Sequence, residues 1–201
     1  MEILLASNNQ HKLHEINQIF ELWQPEKIIL LTPNKVLINP ISVEENGKTL
    51  EENALLKAIA FHEQSKMPCI ADDTALEVKI LHGEPGVYSA RYAGEPANDK
   101  NNREKLLSKL QGISVDRRIA RFRTVFCYKD KERVIFAEGI CDGVIIEQEC
   151  GSNGFGYDSI FIPDGYNETF AQMDDNLKNK ISHRYRAAMD LIKVLSETIL
   201  E

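Results

Sequence analysis

The amino-terminal stretch ILLASNNQHKLHEI limits the possible folds most narrowly, because it joins two different hydrophobic patterns through a polar bend. Ile3 to Ala6 is a short apolar run, which is typical of a buried strand. After the bend, apolar residues recur at steps of three, four and three, as on one face of a helix: Leu13, Ile16, Phe20 and Trp23. A buried strand that leads directly into an amphipathic helix predicts an α/β fold.

The remainder of the chain repeats this alternation. Thr49 and Glu52 have the spacing of a capping box, so a helix is predicted from about Leu50, with Asn53 and Lys57 one turn apart on one side. Strand patterns occur at 28–31, 68–73 (PCIADD), 121–128 (RFRTVFCY), 133–139 (RVIFAEG) and 143–148 (GVIIEQ). Helical patterns occur at 99–110 and from Ile181 to Ile199, with Ser182 as a candidate N-cap.

The turn KDKE between RFRTVFCY and RVIFAEG predicts a β-hairpin. Helices that alternate with strands, together with this hairpin, predict an α/β fold around a mixed sheet.

Composition narrows the class of protein. The chain of 201 residues is 43% hydrophobic, enough for one substantial core, so a single domain over residues 1–201 is predicted. No apolar run approaches the roughly 18 residues of a membrane span, which predicts a cytoplasmic protein without a membrane partner. A net charge of -7 argues against sequence-independent binding of a nucleic acid polymer. Four widely spaced cysteines without a C-x-x-C pair predict buried, reduced thiols.

The bend from Ser7 to His11 is a candidate phosphate site. A strand that turns into a helix directs the free N–H groups of the helix start at the bend, and Lys12 adds a positive charge. The alternative is a bend that only connects two elements. The stretch ENGKT ends like a P-loop, but a P-loop requires a further glycine where this chain has Ser42. Glu44 and Glu45 instead suit a hard cation such as Mg²⁺.

Two adjacent carboxylates, Asp72 and Asp73, close the predicted strand PCIADD. Neighbouring residues of a strand point to opposite faces, so only one of the two easily faces a given ligand. The alternative is a solvated turn or a helix cap. If the fold brings these acids together with two more acids and two lysines, the set forms a metal and polyphosphate site: Glu44, Glu45, Lys12 and Lys57.

Three further groups carry possible chemistry. His11 and His14 lie one turn apart on the first helix, where a solvated face is favoured over metal binding. His183 and Arg184 place two donors at the start of the last helix, suited to an anion or a carbonyl. The glycine-rich segment around Phe155 allows a ring to stack on a planar base, or is a structural turn with Phe155 buried.

Taken in order along the chain, the motifs resemble one family. The segments are SNNQHK, EENGKTLEENALLKA, ADDTALEV, GEPGVYSARYAG, GFGYDSIF and KNKISHR. Together they resemble the inosine/xanthosine triphosphate pyrophosphatases, house-cleaning enzymes that hydrolyse aberrant purine nucleoside triphosphates. The resemblance implies an elongated mixed sheet with flanking helices, two lobes around a central cleft, and a homodimer. It also implies Mg²⁺-dependent hydrolysis of inosine, deoxyinosine and xanthosine triphosphates to the nucleoside monophosphate and pyrophosphate.

The resemblance also assigns roles by position. Asp73 is implied as a metal ligand and proton acceptor, Glu45 as a second metal ligand, Lys57 as a phosphate-facing lysine and Thr74 as a substrate contact. The triphosphate is implied to lie against Ser7, Asn8, Asn9, Gln10, His11 and Lys12. The base is implied to be enclosed by Phe155, Gly156, Tyr157, Asp158, Lys178, His183 and Arg184. This chain departs from the family pattern at Asn8, His11 and Ala75, where the family has glycine, and at Ser159, where it has proline.

Donors of the kind found at Lys178, His183 and Arg184 favour the 6-oxo group of inosine or xanthosine over the 6-amino group of adenosine. Two other functions remain open. One is a nucleotide-binding sensor without turnover. The other is an aspartyl phosphatase, which the absence of a D-x-D-x-T/V pattern disfavours.

Overall fold

The computed structural model describes residues 1–23, 28–39 and 41–198, which form the predicted α/β fold. The helices are α1 (Gln10–Trp23), α2 (Pro33–Val36), α3 (Leu50–Ser65), α4 (Asp99–Lys109), α5 (Asp175–Ile181) and α6 (His183–Thr198). The strands are β1 (Glu2–Leu5), β2 (Ile29–Leu31), β3 (Cys69–Val78), β4 (Pro85–Gly86), β5 (Ile119–Lys129), β6 (Val134–Ile145) and β7 (Phe161–Pro163). The Trp23 side chain and Ile199, both in predicted helical stripes, lie outside the described residues.

The sheet of the described residues is mixed, as predicted, with the order β2-β1-β3-β5-β6-β7 and with β4 paired to β3. β1 is parallel to both β2 and β3, whereas β7 is antiparallel to β6. Leu5 lies opposite Ile70, and the Ala6 N–H donates to the Ile70 carbonyl at 2.7 Å. This register places the bend that follows β1 beside the next residues of β3, which include Asp72.

The structure corrects two predicted boundaries and confirms a third. β3 does not end at Asp73 but continues to Val78, and Leu76 and Val78 remain buried. GVIIEQ is not a separate strand: Gly143 continues β6, and a Cβ there would lie 2.2 Å from the Ile162 carbonyl of β7. The last helix begins at His183, directly after the predicted N-cap Ser182, which has an extended backbone, whereas Ile181 of the predicted stripe ends α5.

The chain packs as two units. The first comprises the described parts of Met1–Asp73, Thr124–Gly139 and His183–Glu201, and the second comprises Thr74–Arg123 and Ile140–Ser182. β3, β5 and β6 each contribute residues to both units. The predicted two lobes around a central cleft stay a prediction.

The first unit has a core on each face of β1. Ile3 packs in one cluster with Ile16 and Phe20 of α1, so the predicted stripe of α1 is confirmed as buried there. Leu4 points to the opposite face, where it joins a cluster with Phe61 of α3. The alternation of neighbouring side chains along a strand thus lets one short strand hold helices on both of its sides.

The second unit is built around an aromatic cluster. Phe122 of β5 meets Phe161 of β7 at a ring-centroid distance of 4.8 Å and an interplanar angle of 67°. Phe170 lies 5.3 Å from Phe161, and buried residues of β3, α4 and β6 surround the three rings. Tyr157 of the glycine-rich segment packs in the same cluster as these rings.

The burial of the four cysteines was predicted from their number and spacing. Cys69, Cys127 and Cys141 are buried as predicted, but Cys150 is exposed. Its backbone is anchored, because its N–H donates to the Ser159 carbonyl and its carbonyl accepts from the Thr169 hydroxyl, while the residue is exposed.

Among the helices of the described residues, none has both the length and the apolar character to cross a membrane.

Candidate active site

The bend after β1 is held by its own polar side chains. Oδ1 of Asn9 accepts hydrogen bonds from the N–H groups of His11 (3.0 Å) and Lys12 (3.2 Å), so Asn9 caps α1. Oγ of Ser7 accepts from the N–H of Asn9, and Nδ2 of Asn8 donates to the carbonyl of Ile41 at 2.6 Å. Because Asn9 occupies two N–H groups of the helix start, the Lys12 side chain is the clearest anion-binding feature here.

This arrangement explains how the chain manages without the family glycines at Asn8 and His11. In the described part of the chain, the non-glycine residues with a positive φ are Lys66 and His82. Neither Asn8 nor His11 therefore needs the left-handed conformation that favours glycine. His11 instead lies in the first turn of α1, where its side chain is exposed.

The two adjacent carboxylates of β3 contact different lysines, as the alternation of a strand predicts. Nζ of Lys12 lies 2.9 Å from Oδ2 of Asp72, and Nζ of Lys57 lies 3.4 Å from Oδ1 of Asp73. Asp72 is 1% exposed and Asp73 is 6% exposed. The alternative of a solvated turn is therefore wrong for both residues.

Asp72 is held in its ionised form. Burial by itself raises the pKa of this carboxyl group, but the positive charges of Lys12, Arg184 and Lys57 outweigh burial and lower the pKa to about 2. Asp72 is thus a fixed negative charge between α1 and α6, suited to orient cationic side chains.

The start of α3 brings a second set of polar residues to Asp73. The capping box is present in part: Oγ1 of Thr49 accepts from the N–H of Glu52 at 3.1 Å, while the Glu52 carboxylate accepts from the N–H of Lys48. Asn53, one turn before Lys57 as predicted, donates from Nδ2 to Oδ2 of Asp73 at 3.1 Å. Asp73 therefore has a donor on each of its two oxygens.

The glycine of ENGKT has a packing role in place of the rejected P-loop role. The N–H of Gly47 donates to Oδ1 of Asn53 at 2.8 Å. A Cβ at Gly47 would lie 2.6 Å from that oxygen and 2.7 Å from Cβ of Glu52, so only glycine lets the loop lie against α3. This contact brings Glu45, two residues earlier, to the start of the helix.

Glu45 and Asp73 converge on one cationic group. Nζ of Lys57 lies 3.1 Å from Oε2 of Glu45 and 3.4 Å from Oδ1 of Asp73. Burial lowers the pKa of Lys57, but the charges of Asp73, Asp72 and Glu45 outweigh it and raise this pKa. Burial and the charge of Glu45 raise the pKa of Asp73, against the opposing effects of Lys57, Lys12 and the Asn53 hydrogen bond.

This arrangement fits a divalent cation with oxygen ligands. Mg²⁺ is usually held by one or two carboxylates, with the remaining positions filled by water and substrate phosphate oxygens. Glu45 and Asp73 supply two carboxylates that already lie around one positive charge, the ammonium group of Lys57. They are the residues of this cluster that could hold a metal ion.

Arg184 forms a buried ion-pair network that the sequence did not reveal. The residue is 2% exposed, its guanidinium pairs with the carboxylate of Glu15, and Nε lies 3.8 Å from Oδ2 of Asp72. Glu15 of α1 is itself buried and lies one turn from Lys12, beside the apolar stripe. In the sequence, the signal for this ion pair was the position of Glu15, a charged residue beside the apolar stripe of α1. That position does not identify Arg184 as its partner.

His183 is also buried, at 3% exposure, as the first residue of α6. Gly139 of β6 packs against this turn: a Cβ there would lie 2.1 Å from the His183 carbonyl and 2.2 Å from N of Ala187. The close approach of strand and helix fixes the start of α6, and with it the positions of His183 and Arg184.

In the second unit, Asp158 organises the glycine-rich segment. Oδ2 of Asp158 accepts from the N–H of Phe155 at 2.9 Å and from Nζ of Lys178 at 2.7 Å. Gly154 has φ +71°, and a Cβ there would lie 2.1 Å from the same oxygen. The Lys178 side chain is 3% exposed, so its charge is fixed by Asp158.

The two aromatic residues of this segment differ in exposure. Phe155 is half-buried and not fully buried, and its ring centroid lies 5.4 Å from Nζ of Lys178. Tyr157 is buried in the aromatic core, and its hydroxyl donates to the Ser89 carbonyl at 2.9 Å. Phe155 is therefore partly exposed, whereas Tyr157 is packed and hydrogen-bonded, and a role of Phe155 in stacking stays a prediction.

The remaining predicted positions lie on β3. Thr74 directly follows Asp73 and is half-buried at the start of the second unit. Ala75, which replaces a family glycine, is 1% exposed, so its methyl group is part of the packed interior.

The predicted residues thus fall into a group in each unit. In the first unit, Asp72 contacts Lys12 and Arg184, and Lys57 contacts Glu45 and Asp73, the residue that follows Asp72 in β3. The second unit joins Phe155, Asp158 and Lys178.

Comparison with known proteins identifies the family. The model of the Ham1 family matches residues 3–194, nearly the whole chain. This chain belongs to the Ham1 family. Among curated members, a dITP/XTP pyrophosphatase from Christiangramia forsetii is 43% identical over 197 residues, covering 98% of this chain and 100% of the relative. A dITP/XTP pyrophosphatase from Clostridium perfringens is 45% identical over 193 residues, covering 92% and 93%.

Solved structures of Ham1 proteins share the fold. The Staphylococcus aureus Ham1 protein superposes with a TM-score of 0.83 at 40% identity, covering 98% of each chain. A dITP/XTP pyrophosphatase from Mycobacterium abscessus has a TM-score of 0.75 at 36% identity, covering 97% of this chain and all of its own. The resemblance stated from the motifs is therefore confirmed at the level of the Ham1 family.

Proposed function

We propose that this Ham1-family chain hydrolyses noncanonical purine nucleoside triphosphates, those of inosine, deoxyinosine and xanthosine, to the nucleoside monophosphate and pyrophosphate. The observation that carries the proposal is the convergence of Glu45 and Asp73 on Lys57, with Lys12 held nearby by Asp72. Its relatives from C. forsetii and C. perfringens, named dITP/XTP pyrophosphatases, support the substrate class.

The lysines are assigned to the triphosphate. Lys12 and Lys57 are paired with carboxylates in the structure, so phosphate oxygens replace those partners when substrate binds. A lysine ammonium contributes a compact positive charge with three donors, which suits phosphate oxygens in several geometries. In this assignment Asp72 and Asp73 keep both lysines in place before substrate arrives.

The carboxylates are assigned to the metal and to proton transfer. Glu45 and Asp73 would hold Mg²⁺, which when bound offsets phosphate charge and polarises water. Asp73 accepts the proton that the attacking water loses as its oxygen bonds to the α-phosphorus, and the bond between that phosphorus and the oxygen bridging to the β-phosphorus breaks, so that pyrophosphate leaves.

Binding of the purine base is assigned to the hydrogen-bond donors and the aromatic ring that the family resemblance implies. Lys178 would donate to the 6-oxo group, and the half-buried ring of Phe155 would stack on the purine, while the contact of His183 with the base stays a prediction. Arg184 contacts Glu15 and Asp72 in the structure, and its contact with the base stays a prediction. The homodimer and the cytoplasmic location also stay predictions from the sequence.

A panel of nucleoside triphosphates at one Mg²⁺ concentration tests the substrate class. We expect kcat/KM for inosine, deoxyinosine and xanthosine triphosphates to exceed that for adenosine triphosphate by about 100-fold or more, since a donor meets a donor at the adenosine 6-position. Equal values for inosine and adenosine triphosphates would contradict the proposed selectivity. Saturable binding of inosine triphosphate without any product would indicate the sensor instead.

Lys12→Ala should raise KM for inosine triphosphate about tenfold, because one charge-assisted contact to phosphate is lost. Steady-state kinetics measure the effect. Lys131→Ala, which removes an exposed lysine in the turn between β5 and β6, is the control for net charge. A Lys12→Ala variant with unchanged kinetics would remove the bend after β1 from the proposed site.

Glu45→Gln should chiefly raise the Mg²⁺ concentration needed for half-maximal rate, by about tenfold, since an amide oxygen is a weaker ligand than a carboxylate. A Mg²⁺ titration of the rate at saturating inosine triphosphate measures this shift. Glu63→Gln, an exposed acid on α3, is the matched control. An unchanged Mg²⁺ requirement in Glu45→Gln would show that Glu45 does not hold the metal ion.

A further inference from the structure

The backbone of Gly156, in the middle of the glycine-rich segment, is held by α4 through both its N–H and its carbonyl group. Its N–H donates to Oδ2 of Asp99 at 2.9 Å, and its carbonyl accepts from Arg103 at 2.7 Å. Asp99 and Arg103 are four residues apart, which places both on the same face of the helix. One turn of α4 therefore fixes the orientation of a peptide more than fifty residues later in the chain.

Arg103 also reaches the far side of the segment. Its Nε lies 2.9 Å from Oε2 of Glu149, and that oxygen accepts from the hydroxyl of Ser159 at 3.0 Å. Ser159 stands where the family has proline. In this chain a side-chain hydrogen bond therefore holds a position that the rigid proline ring holds in the family. The Arg103 side chain is 17% exposed, so its guanidinium is largely enclosed by these partners.

These contacts determine how Phe155 is presented. Asp158 fixes the N–H of Phe155, and the Asp99–Arg103 pair fixes the next peptide, so the backbone on both sides of the ring is held. Gly156 has φ +61° and open space where a Cβ would be, so glycine is needed there for its conformation and not for room. The ring itself is half-buried.

We propose that Asp99 and Arg103 are positioning residues that set base selectivity by holding the Gly156 peptide, and with it the ring of Phe155. They act through the backbone and touch no substrate atom. This inference rests on the proposed function, in which Phe155 stacks on the purine. It adds to that function a part of α4 that the motifs did not include.

The same helix supplies matched controls for the test. Lys100 and Glu104 follow Asp99 and Arg103 by one position each and form an exposed pair, with side chains 72% and 61% exposed. Asp99→Ala and Arg103→Ala are compared with Lys100→Ala and Glu104→Ala in steady-state kinetics with inosine and adenosine triphosphates.

Asp99→Ala and Arg103→Ala should each raise KM for inosine triphosphate about tenfold and leave kcat within about twofold, because each loses a hydrogen bond that orders the segment. The preference for inosine over adenosine triphosphate should fall by a similar factor. Asp99→Asn keeps an oxygen acceptor for the Gly156 N–H, so it should restore KM to within about threefold of the parent. The two control variants should match the parent.

Three results would overturn the inference: unchanged KM and selectivity in both alanine variants, a loss confined to kcat, or equal effects in the control variants. Thermal unfolding of each variant separates loss of fold from loss of positioning, and the Asp99→Asn rescue separates them again. If the parent protein shows no turnover, the proposed function fails. The inference is then decided by equilibrium binding of inosine and adenosine triphosphates to the same variants.

Discussion

Asp73→Asn should lower kcat for inosine triphosphate hydrolysis by about 10³-fold, because it removes the group assigned to accept the proton of the attacking water. The substitution preserves the size of the side chain but places an amide where Asn53 and Lys57 already supply donors. One of these donors would then face an N–H group. The loss should be in kcat at saturating substrate and saturating Mg²⁺, which distinguishes it from weaker metal binding.

Two controls belong with this measurement. Glu63→Gln changes an exposed acid on α3 and should leave kcat unchanged. Urea unfolding of Asp73→Asn should show a cooperative transition, so that a lost rate is not a lost fold. An Asp73→Asn variant that keeps kcat within about tenfold of the parent would contradict the role of general base, for which losses of 10²-fold to 10⁴-fold are typical.

Arg184→Met should lower the free energy of unfolding by about 3–5 kcal/mol, the usual cost of removing one partner from a buried ion pair. The guanidinium is 2% exposed and lies against Glu15 and Asp72, both buried carboxylates. Without it, Glu15 is a buried charge that has lost its cationic partner, and the charge of Asp72 loses one of its stabilising neighbours. Urea denaturation measures the change.

Arg186→Met, two residues later on α6 and exposed, is the matched control and should change stability by less than about 0.5 kcal/mol. In the double variant Glu15→Gln with Arg184→Met, the total loss should be smaller than the sum of the two single losses, because the two side chains stabilise each other. Strict additivity would show that the pair does not couple. A small effect of Arg184→Met alone would show that water replaces the guanidinium at little cost.

The parts of the site that the sequence predicted are those governed by local periodicity. A helical face that carries Asn53 and Lys57, and a strand that points Asp72 and Asp73 to opposite sides, follow from repeats of 3.6 and 2.0 residues. The structure confirms both, since each acid contacts its own lysine. Periodicity also predicted the buried face of α1.

The parts that sequence reasoning missed depend on contacts between distant segments. Glu15 and Arg184 are 169 residues apart, and α4 reaches Gly156 across 57 residues from Asp99. Periodicity shows which side of a helix is apolar, but it does not show which other element lies against the polar side. Periodicity also did not show that Ile181, which continues the apolar spacing of α6, belongs to α5, whereas the candidate N-cap Ser182 correctly placed the start of α6 at His183.

The departures from the family pattern have local explanations. Neither Asn8 nor His11, which replace family glycines, has a positive φ, and the Asn8 side chain donates to the Ile41 carbonyl, so the bend after β1 forms with an ordinary backbone. Ser159 is tied to Glu149 in the same way. These substitutions leave the lysines and carboxylates of the proposed chemistry unchanged.

Product identification with this chain, inosine triphosphate and Mg²⁺ shows which phosphate bond is cleaved. We expect inosine monophosphate and pyrophosphate in equal amounts, with no diphosphate intermediate, because water attacks the α-phosphorus and the bond from that phosphorus to the oxygen bridging to the β-phosphorus breaks, so that pyrophosphate leaves as a single group. Inosine diphosphate with orthophosphate would contradict it.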